Sequence, residues 1–192
     1  MDKYEKKKDK TKNKLKAAFF QVAEDKDLLH ITVKEVSAAA EVGRSTFYMH
    51  YENIEDLIRE IESEILEEIE EILLHPPKMV PQASVEGHPE YAIPFYYEMN
   101  QFLNFLYDNR RRMLPFIYPQ QDAFFVNKFK DLVGKKLVEY EEASPLYDDH
   151  SHITFFMNIG ITGTMFHWLI HQNMPKEEFL KMALKINKLI GL

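Results

Sequence analysis

Residues 31–51 read ITVKEVSAAAEVGRSTFYMHY, a pattern that predicts two short helices joined by a tight turn. Thr32 and Glu35 have the spacing of a capping box, in which each side chain hydrogen-bonds to the backbone N–H of the other residue. This pair predicts a helix over about residues 33–40. Gly43 follows in the turn and is an acceptable N-cap, so a second helix is expected over about residues 44–50.

The second helix is too short to be stable alone in water. We therefore expect Phe47 and Tyr51, four residues apart, to pack against the rest of the chain. The polar side chains then remain on the outer faces, where hydroxyl groups and Arg44 can donate to DNA phosphates, and Arg44 and His50 can reach base edges. This arrangement predicts a helix-turn-helix motif. An ordinary helical corner with polar groups facing water is the alternative.

The N-terminal region is basic although the whole chain, with a formal charge of −7, is acidic. Residues 1–50 hold 11 basic and 8 acidic groups, whereas residues 51–192 hold 13 and 23. The overall charge therefore does not exclude a nucleic-acid partner. Eight lysines among the first sixteen residues precede a helix whose apolar face runs from Leu15 to Ala23. They form either a solvated, disordered tail or a basic arm that follows DNA phosphates.

The residues quoted above, together with ENIEDL at 52–57, closely resemble the DNA-binding domain of the TetR (TetR/AcrR) family of bacterial transcriptional regulators. The resemblance covers about residues 10–60 and is most specific at STFYMHY (45–51) and EDL (55–57). It implies an all-α chain with two domains. Residues 1–52 would be a three-helix, helix-turn-helix DNA-binding domain with a basic N-terminal arm. Residues 53–192 would be a helical effector-binding and dimerisation domain.

The resemblance also implies where DNA is contacted. The beginning of the first short helix would lie near the DNA backbone, the second short helix would face the major groove, and Tyr48 would contact chiefly phosphate. The implied DNA-contacting residues are Thr32, Lys34, Arg44, Ser45, Thr46, Tyr48, Met49 and His50.

Three positions depart from the family pattern. Glu41 stands where the turn usually has Gly, so a non-Gly residue is expected at positive φ, at a cost of about 1 kcal/mol. Gly43 replaces the usual Ser or Thr cap. Ile54 replaces a Lys that would contact phosphate, which should remove about one phosphate contact per subunit. Glu41 and Ile54 favour the alternative function, a TetR-like dimeric ligand-binding co-regulator, possibly an activator, with weakened or lost DNA contact.

A long helix is predicted from Ile54, because isoleucines recur every three or four residues as far as Ile72. Its other face is strongly acidic and is expected to be solvated. The resemblance makes it the connecting helix between the two domains. Prolines at 76 and 77 end it, and the loop over residues 76–89 is the expected hinge.

Further helices are predicted over about residues 95–108, 122–142, 151–172 and 176–190. The three arginines at 110–112 are expected at the C-terminus of the first of these, where they suit the helix dipole; an anion-binding corner is the alternative. Residues 150–175 contain no Asp, Glu, Lys or Arg but never reach a membrane-spanning length of apolar residues. We expect a helix covered on nearly every side, partly by a second chain. The last two helices are therefore predicted to form a homodimer interface.

Aromatic and methionine side chains crowd the second half of the chain. Such residues usually form a core, but the resemblance implies that some line a cavity for an unidentified small-molecule effector. The candidates are Phe95, Met99, Phe102, Phe116, Phe156, Met165 and Trp168.

No enzyme class is indicated by the sequence. Cysteine is absent, and no nucleotide-binding, zinc-protease or hydrolase motif occurs. His150, His152, His167 and His171 invite a metal interpretation, but no third ligand is evident by spacing. We expect no catalytic residues, no metal and no cofactor. The Lys-rich N-terminus predicts a cytoplasmic protein without a membrane segment, and the family implies a repressor released from a palindromic DNA operator by its effector.

Overall fold

A computed structural model describes residues 3–75, 94–118, 123–143, 150–172 and 174–189. These ranges contain helices and no strands, which confirms the predicted all-α class. The short 3₁₀ helix spans Leu28–His30. The α-helices are α1 (Lys3–Ala23), α2 (Val33–Ala39), α3 (Arg44–Tyr48), α4 (Ile54–Leu74), α5 (Pro94–Asp108), α6 (Arg110–Ile117), α7 (Ala123–Ala143), α8 (His150–His171) and α9 (Lys176–Leu189). The predicted hinge at 76–89 lies outside the described residues.

The beginning of α2 and the turn between α2 and α3 have the predicted geometry. The Thr32 hydroxyl accepts from the backbone N–H of Glu35 at 3.4 Å, and Glu35 Oε2 accepts from the backbone N–H of Thr32 at 3.1 Å. Glu41 has φ of 54°, so the expected left-handed residue is present without Gly. Gly43 is the N-cap of α3. Helix α3 ends at Tyr48, two residues earlier than predicted.

Helix α1 is longer than its apolar face predicted. It begins at Lys3, so the lysines from residue 3 onward belong to a helix and not to a disordered tail. Lys12 and Lys16 pair with carboxylates of α4. Cross-helix pairing of this kind cannot be inferred from the composition of the segment alone.

Helix α4 has the predicted bounds and the predicted apolar face. Asn53 caps it by accepting from the backbone N–H of Asp56 at 2.8 Å. The isoleucines at 58, 61, 65 and 69 are buried in one core that also includes residues of α1, α5, α6, α7 and α8. The connecting helix is therefore packed along its length against both halves of the chain.

The prediction for the three arginines was wrong. Asn109 interrupts the helix, and Arg110 begins α6. Arg110 reaches the C-terminal end of a different helix, α8. Its Nη2 donates to the carbonyl of Ile170 at 3.1 Å, and its Nε donates to the carbonyl of Leu169. The cation thus does satisfy a helix C-terminus, but that of α8. Sequence spacing could not identify this helix, because it is about sixty residues away along the chain.

Helices α7 and α8 approach closely at a glycine. Asn158 donates to the carbonyl of Lys130 at 2.9 Å, and Thr162 donates to Asn158 at 3.1 Å. A Cβ atom on Gly134 would lie 2.8 Å from Nδ2 of Asn158, a distance that real structures do not tolerate. Asn158 and Thr162 of this uncharged helix are thus hydrogen-bonded on the side that faces α7. No helix in the described ranges is long and apolar enough to cross a bilayer.

Candidate nucleic-acid interface

Helix α3 is held by two aromatic side chains, as predicted. Phe47 is fully buried and Tyr51 is nearly so, with their ring centroids 5.6 Å apart. The Tyr51 hydroxyl donates to Glu60 of α4 at 3.3 Å. Burial and the neighbouring Glu60 carboxylate raise the pKa of Tyr51, which keeps the phenol protonated as a donor. A five-residue helix is thereby fixed to the connecting helix.

The opposite side of α3 carries the predicted DNA-contacting groups at the surface. Tyr48 is 57% exposed and Met49 is 73% exposed. Arg44 and Ser45 are also exposed, whereas Thr46 is half-buried. The Tyr48 ring lies roughly perpendicular to that of Phe47, with centroids 5.7 Å apart. The exposed donors of α3 are thus the Arg44 guanidinium and the hydroxyls of Ser45 and Tyr48.

Thr32 and Lys34 lie exposed at the beginning of α2. The Thr32 hydroxyl also donates to Glu35 Oε2 at 2.6 Å. Its hydrogen is therefore used within the cap, so Thr32 can offer DNA only an acceptor unless that bond breaks. Lys34 remains the better phosphate donor at this end of α2.

His50 lies half-buried just after α3, and its Nδ1 has no hydrogen-bond partner among the described residues. Burial lowers the pKa of His50, and the charges of Lys12 and Lys8 lower it further, against an opposing effect of Glu60. Both effects favour the neutral form of the imidazole, which can meet DNA as a hydrogen-bonding group.

The capping box makes the stability of the N-terminal helices depend on pH. Hydrogen bonds from Lys26, at 2.6 Å, and from Thr32 lower the pKa of Glu35 to about 2. A carboxyl group whose pKa is lower in the folded chain stabilises folding above its ordinary pKa, and this contribution is lost as the pH falls through the folded value. We expect the stability advantage of wild type over Glu35→Gln to shrink between about pH 4.5 and about pH 2. Urea unfolding followed by circular dichroism measures this difference.

Glu24→Gln, which removes an exposed carboxylate outside the capping box, is the matched control for that experiment. A difference between wild type and Glu35→Gln that stays constant over the same pH range would contradict the assigned role of the Glu35 charge.

Sequence reasoning missed an ion-pair cluster that joins α1 to α4. Glu60 accepts from Lys12 at 2.5 Å and from Lys16 at 2.6 Å, and Lys16 also contacts Glu64 at 2.5 Å. One turn further along α4, Arg112 of α6 forms a two-pronged pair with Glu68 at 2.7 and 2.8 Å. The i, i+4 spacing of the lysines and of the glutamates indicates that each set lies on one side of its own helix. This spacing does not indicate which helices pack together.

The candidate effector-binding residues have different environments. Phe102, Phe116, Met165 and Trp168 are buried, and Met99 is half-buried. The side chain of Phe95 lies outside the described set. Phe156 is 75% exposed, so in the single chain it lies at the surface and not in the interior. Phe156 is exposed because it lies on the outer side of α8, opposite the side on which Asn158 and Thr162 form hydrogen bonds toward α7.

Two of the buried candidates already have well-defined packing partners. Trp168 donates to the carbonyl of Met174 at 2.9 Å and stacks on Phe179 with centroids 4.2 Å apart, which closes the turn between α8 and α9. Phe116 stacks on Phe19 of α1 at 6.1 Å. Phe116 therefore links α6 to α1.

The rings of His167 and His171 lie 4.5 Å apart on the exposed side of α8. The side chains of His150 and His152 lie outside the described set. In the part of the chain that is described, no group of three or more His, Asp or Glu residues could hold a metal ion.

No protein-family model matches the chain, and no curated protein matches it in sequence. Solved structures do match its fold. The TetR transcriptional regulator from Streptococcus agalactiae 2603V has a TM-score of 0.71 at 22% identity, covering 95% of this chain and 96% of that one. The fatty acid degradation regulator FadR from Bacillus halodurans has a TM-score of 0.65 at 14% identity, covering 92% and 93%. NalD, the secondary repressor of the MexAB-OprM multidrug efflux pump in Pseudomonas aeruginosa, has a TM-score of 0.64 at 16% identity, covering 93% and 94%. The chain therefore has the all-α fold of TetR-family transcriptional regulators.

Proposed function

We propose that this protein is a TetR-like DNA-binding transcriptional regulator that acts as a homodimer on a palindromic operator and is released by a small-molecule effector. The observation that carries the proposal is helix α3, whose apolar side is buried through Phe47 while Tyr48 and Arg44 project outward. In this proposal residues 1–52 bind DNA and residues 53–192 bind the effector and dimerise. The protein works in the cytoplasm, without a cofactor and without catalysis.

DNA is recognised by α3 in the major groove. The hydroxyls of Ser45, Thr46 and Tyr48 donate to phosphate oxygens and fix the register, while Arg44 donates to phosphate or to a guanine edge. A two-fold dimer presents two copies of α3 to successive major grooves, about 34–36 Å apart. The operator is therefore expected to be an inverted repeat.

The exposed side of α8 supports dimerisation through the last two helices. Phe156 and Ile159 are exposed large apolar residues on this side, and Gly160 and Gly163 lie beside them. A Cβ added to either glycine would meet nothing within 4 Å in the single chain. Apolar groups next to bare backbone are suited to close packing against a second copy of α8, in which a two-fold axis brings the same surface to itself.

Helix α4 is the route by which effector binding would reach the DNA. It contacts α1 through Glu60 and Glu64, and α6 through Glu68. An effector that binds more tightly to one position of α4 shifts the dimer toward a spacing of the two α3 helices that does not fit the operator. Repression is supported by the similar fold of NalD, which is itself a repressor.

A second candidate function is a dimeric co-regulator with weak DNA contact. Ile54 favours it, because its side chain packs partly buried against the core and offers no ammonium group at the beginning of α4.

Selection from a pool of random-sequence duplexes separates the two candidates. The regulator should enrich a two-fold-symmetric sequence, and its affinity for that sequence should fall steeply between about 0.05 and 0.2 M salt. Failure to enrich any sequence, with only weak binding to unrelated DNA, would favour the co-regulator.

A further inference from the structure

Two lysines of the N-terminal basic segment are held by acidic side chains of the connecting helix. Lys12 contacts Glu60, and Lys16 is shared between Glu60 and Glu64, with N–O distances of 2.5 or 2.6 Å. The side chains of both lysines and of Glu60 are partly buried. These pairs are therefore less screened by solvent than exposed surface ion pairs.

One of these two lysines lies close to a residue of the proposed DNA surface. Lys12 Nζ is 5.2 Å from the centroid of the Tyr51 ring, three residues after the end of α3. The charges of Lys12 and Lys8 also lower the pKa of His50, the residue before Tyr51. A Lys12 ammonium group released from Glu60 would thus remain near His50, one of the proposed DNA-contacting residues.

We propose that Glu60 acts as an internal competitor of DNA phosphate, holding Lys12 so that its charge is withheld from the duplex. This inference rests on the proposed DNA-binding function. Carboxylate and phosphate oxygens accept from the same ammonium groups. A lysine held by Glu60 therefore adds nothing to counterion release when DNA binds, whereas a freed lysine adds one phosphate contact.

The competition also gives α4 a way to adjust affinity. Glu60, Glu64 and Glu68 follow each other at intervals of four residues, and Glu68 binds Arg112 from the effector-binding half. The charges of Glu68 and Glu64 raise the pKa of Arg112, so Glu64 lies between a cation of the DNA-binding unit and one of the effector-binding half. A displacement of α4 along α1 would change how firmly Lys12 and Lys16 are held.

The test uses the full-length dimer and measures its affinity for two duplexes at several salt concentrations. One is the duplex that wild type enriches, and the other is a short duplex of unrelated sequence. Glu60→Gln keeps an acceptor for the Tyr51 hydroxyl but releases Lys12. We expect about ten-fold tighter binding near 0.1 M salt, with a plot of log affinity against log salt steeper by about 1.8 for the dimer.

Glu55→Gln is the matched control. It removes the same charge from an exposed position earlier in α4, nearer to α3 along the chain. If the effect of Glu60 were only the general repulsion of DNA by a carboxylate, Glu55→Gln would tighten binding equally. We expect less than about a three-fold change and an unchanged salt dependence.

Lys12→Gln completes the test and remains informative if Glu60→Gln is poorly folded. In the wild-type background Lys12→Gln should weaken DNA binding by less than about three-fold, because Lys12 is held by Glu60. In the Glu60→Gln background it should reverse the gain. Weaker DNA binding by Glu60→Gln, or a large loss from Lys12→Gln alone, would overturn the proposal and assign these residues to orienting α3 or to direct contact.

The two possible failures are distinguishable. If wild type binds neither duplex at low salt, the proposed function itself fails. If wild type binds its enriched duplex but Glu60→Gln binds no more tightly than Glu55→Gln, only the competition is wrong.

Discussion

A chain carrying Thr46→Ala and Tyr48→Phe should bind its enriched duplex about a thousand-fold more weakly than wild type while remaining folded and dimeric. Each substitution removes a hydroxyl donor to phosphate, and each lost bond costs about 1 kcal/mol. The dimer loses four such bonds, and every 1.4 kcal/mol is a factor of about ten. Tyr48 is exposed and Thr46 half-buried, so the fold should lose little. Fluorescence anisotropy of a labelled duplex measures the affinity.

Tyr118→Phe is the control for that variant. Tyr118 is exposed to nearly the same degree as Tyr48 but follows α6, far along the chain from α3. It should bind the duplex as wild type does. Equal affinity of wild type and the double variant would show that the hydroxyls of α3 do not contact DNA, and would leave the co-regulator as the better function.

Replacement of Phe156 by Glu should convert the dimer into monomers at micromolar concentration and abolish tight operator binding. Phe156 lies on the outer side of α8, 75% exposed in the single chain. If a second α8 covers it, the substitution buries two uncompensated carboxylates per dimer, each at a cost of several kcal/mol. Sedimentation velocity measures the mass. Because a monomer has only one copy of α3, operator affinity should fall as the fraction of dimer falls.

Leu29→Glu is matched to Phe156→Glu by exposure, since Leu29 is also 75% exposed, but it lies in the 3₁₀ helix of the DNA-binding unit. It should remain dimeric. A Phe156→Glu chain that sediments as a dimer would exclude this side of α8 from the interface. The sole tryptophan, Trp168, lies on α8 and provides an independent fluorescence signal for the same transition.

The two short helices α2 and α3 and the turn between them were predictable from the sequence because their signals are local. The capping box, the left-handed Glu41, the Gly43 cap and the burial of Phe47 each involve residues within a few positions of one another. Side chains separated by three or four residues meet on a helix whatever the rest of the chain does. The lengths of α4 and α7 followed from periodicity for the same reason, and that of α8 from its uncharged composition, each within one or two residues.

The placement of Arg110 to Arg112 was not predictable in this way. Spacing alone favoured the C-terminus of α5, yet Arg110 caps α8 and Arg112 pairs with α4. Phe156 was likewise grouped with buried aromatics, although it lies on the side of α8 that faces away from α7. Both outcomes depend on which helix surfaces pack together, and that information is spread over the whole chain.

By itself, then, the amino-acid order determined an all-α chain with a short, polar-faced helix presented by a capped turn, because those features arise from contacts between near neighbours. Only the tertiary structure decided that Lys12 and Lys16 meet Glu60 and Glu64, since the partners are forty-eight positions apart or nearly so and each carboxylate had many possible cations. Ion pairs form wherever packing of apolar faces brings charges together, and the apolar faces of α1 and α4 set that register.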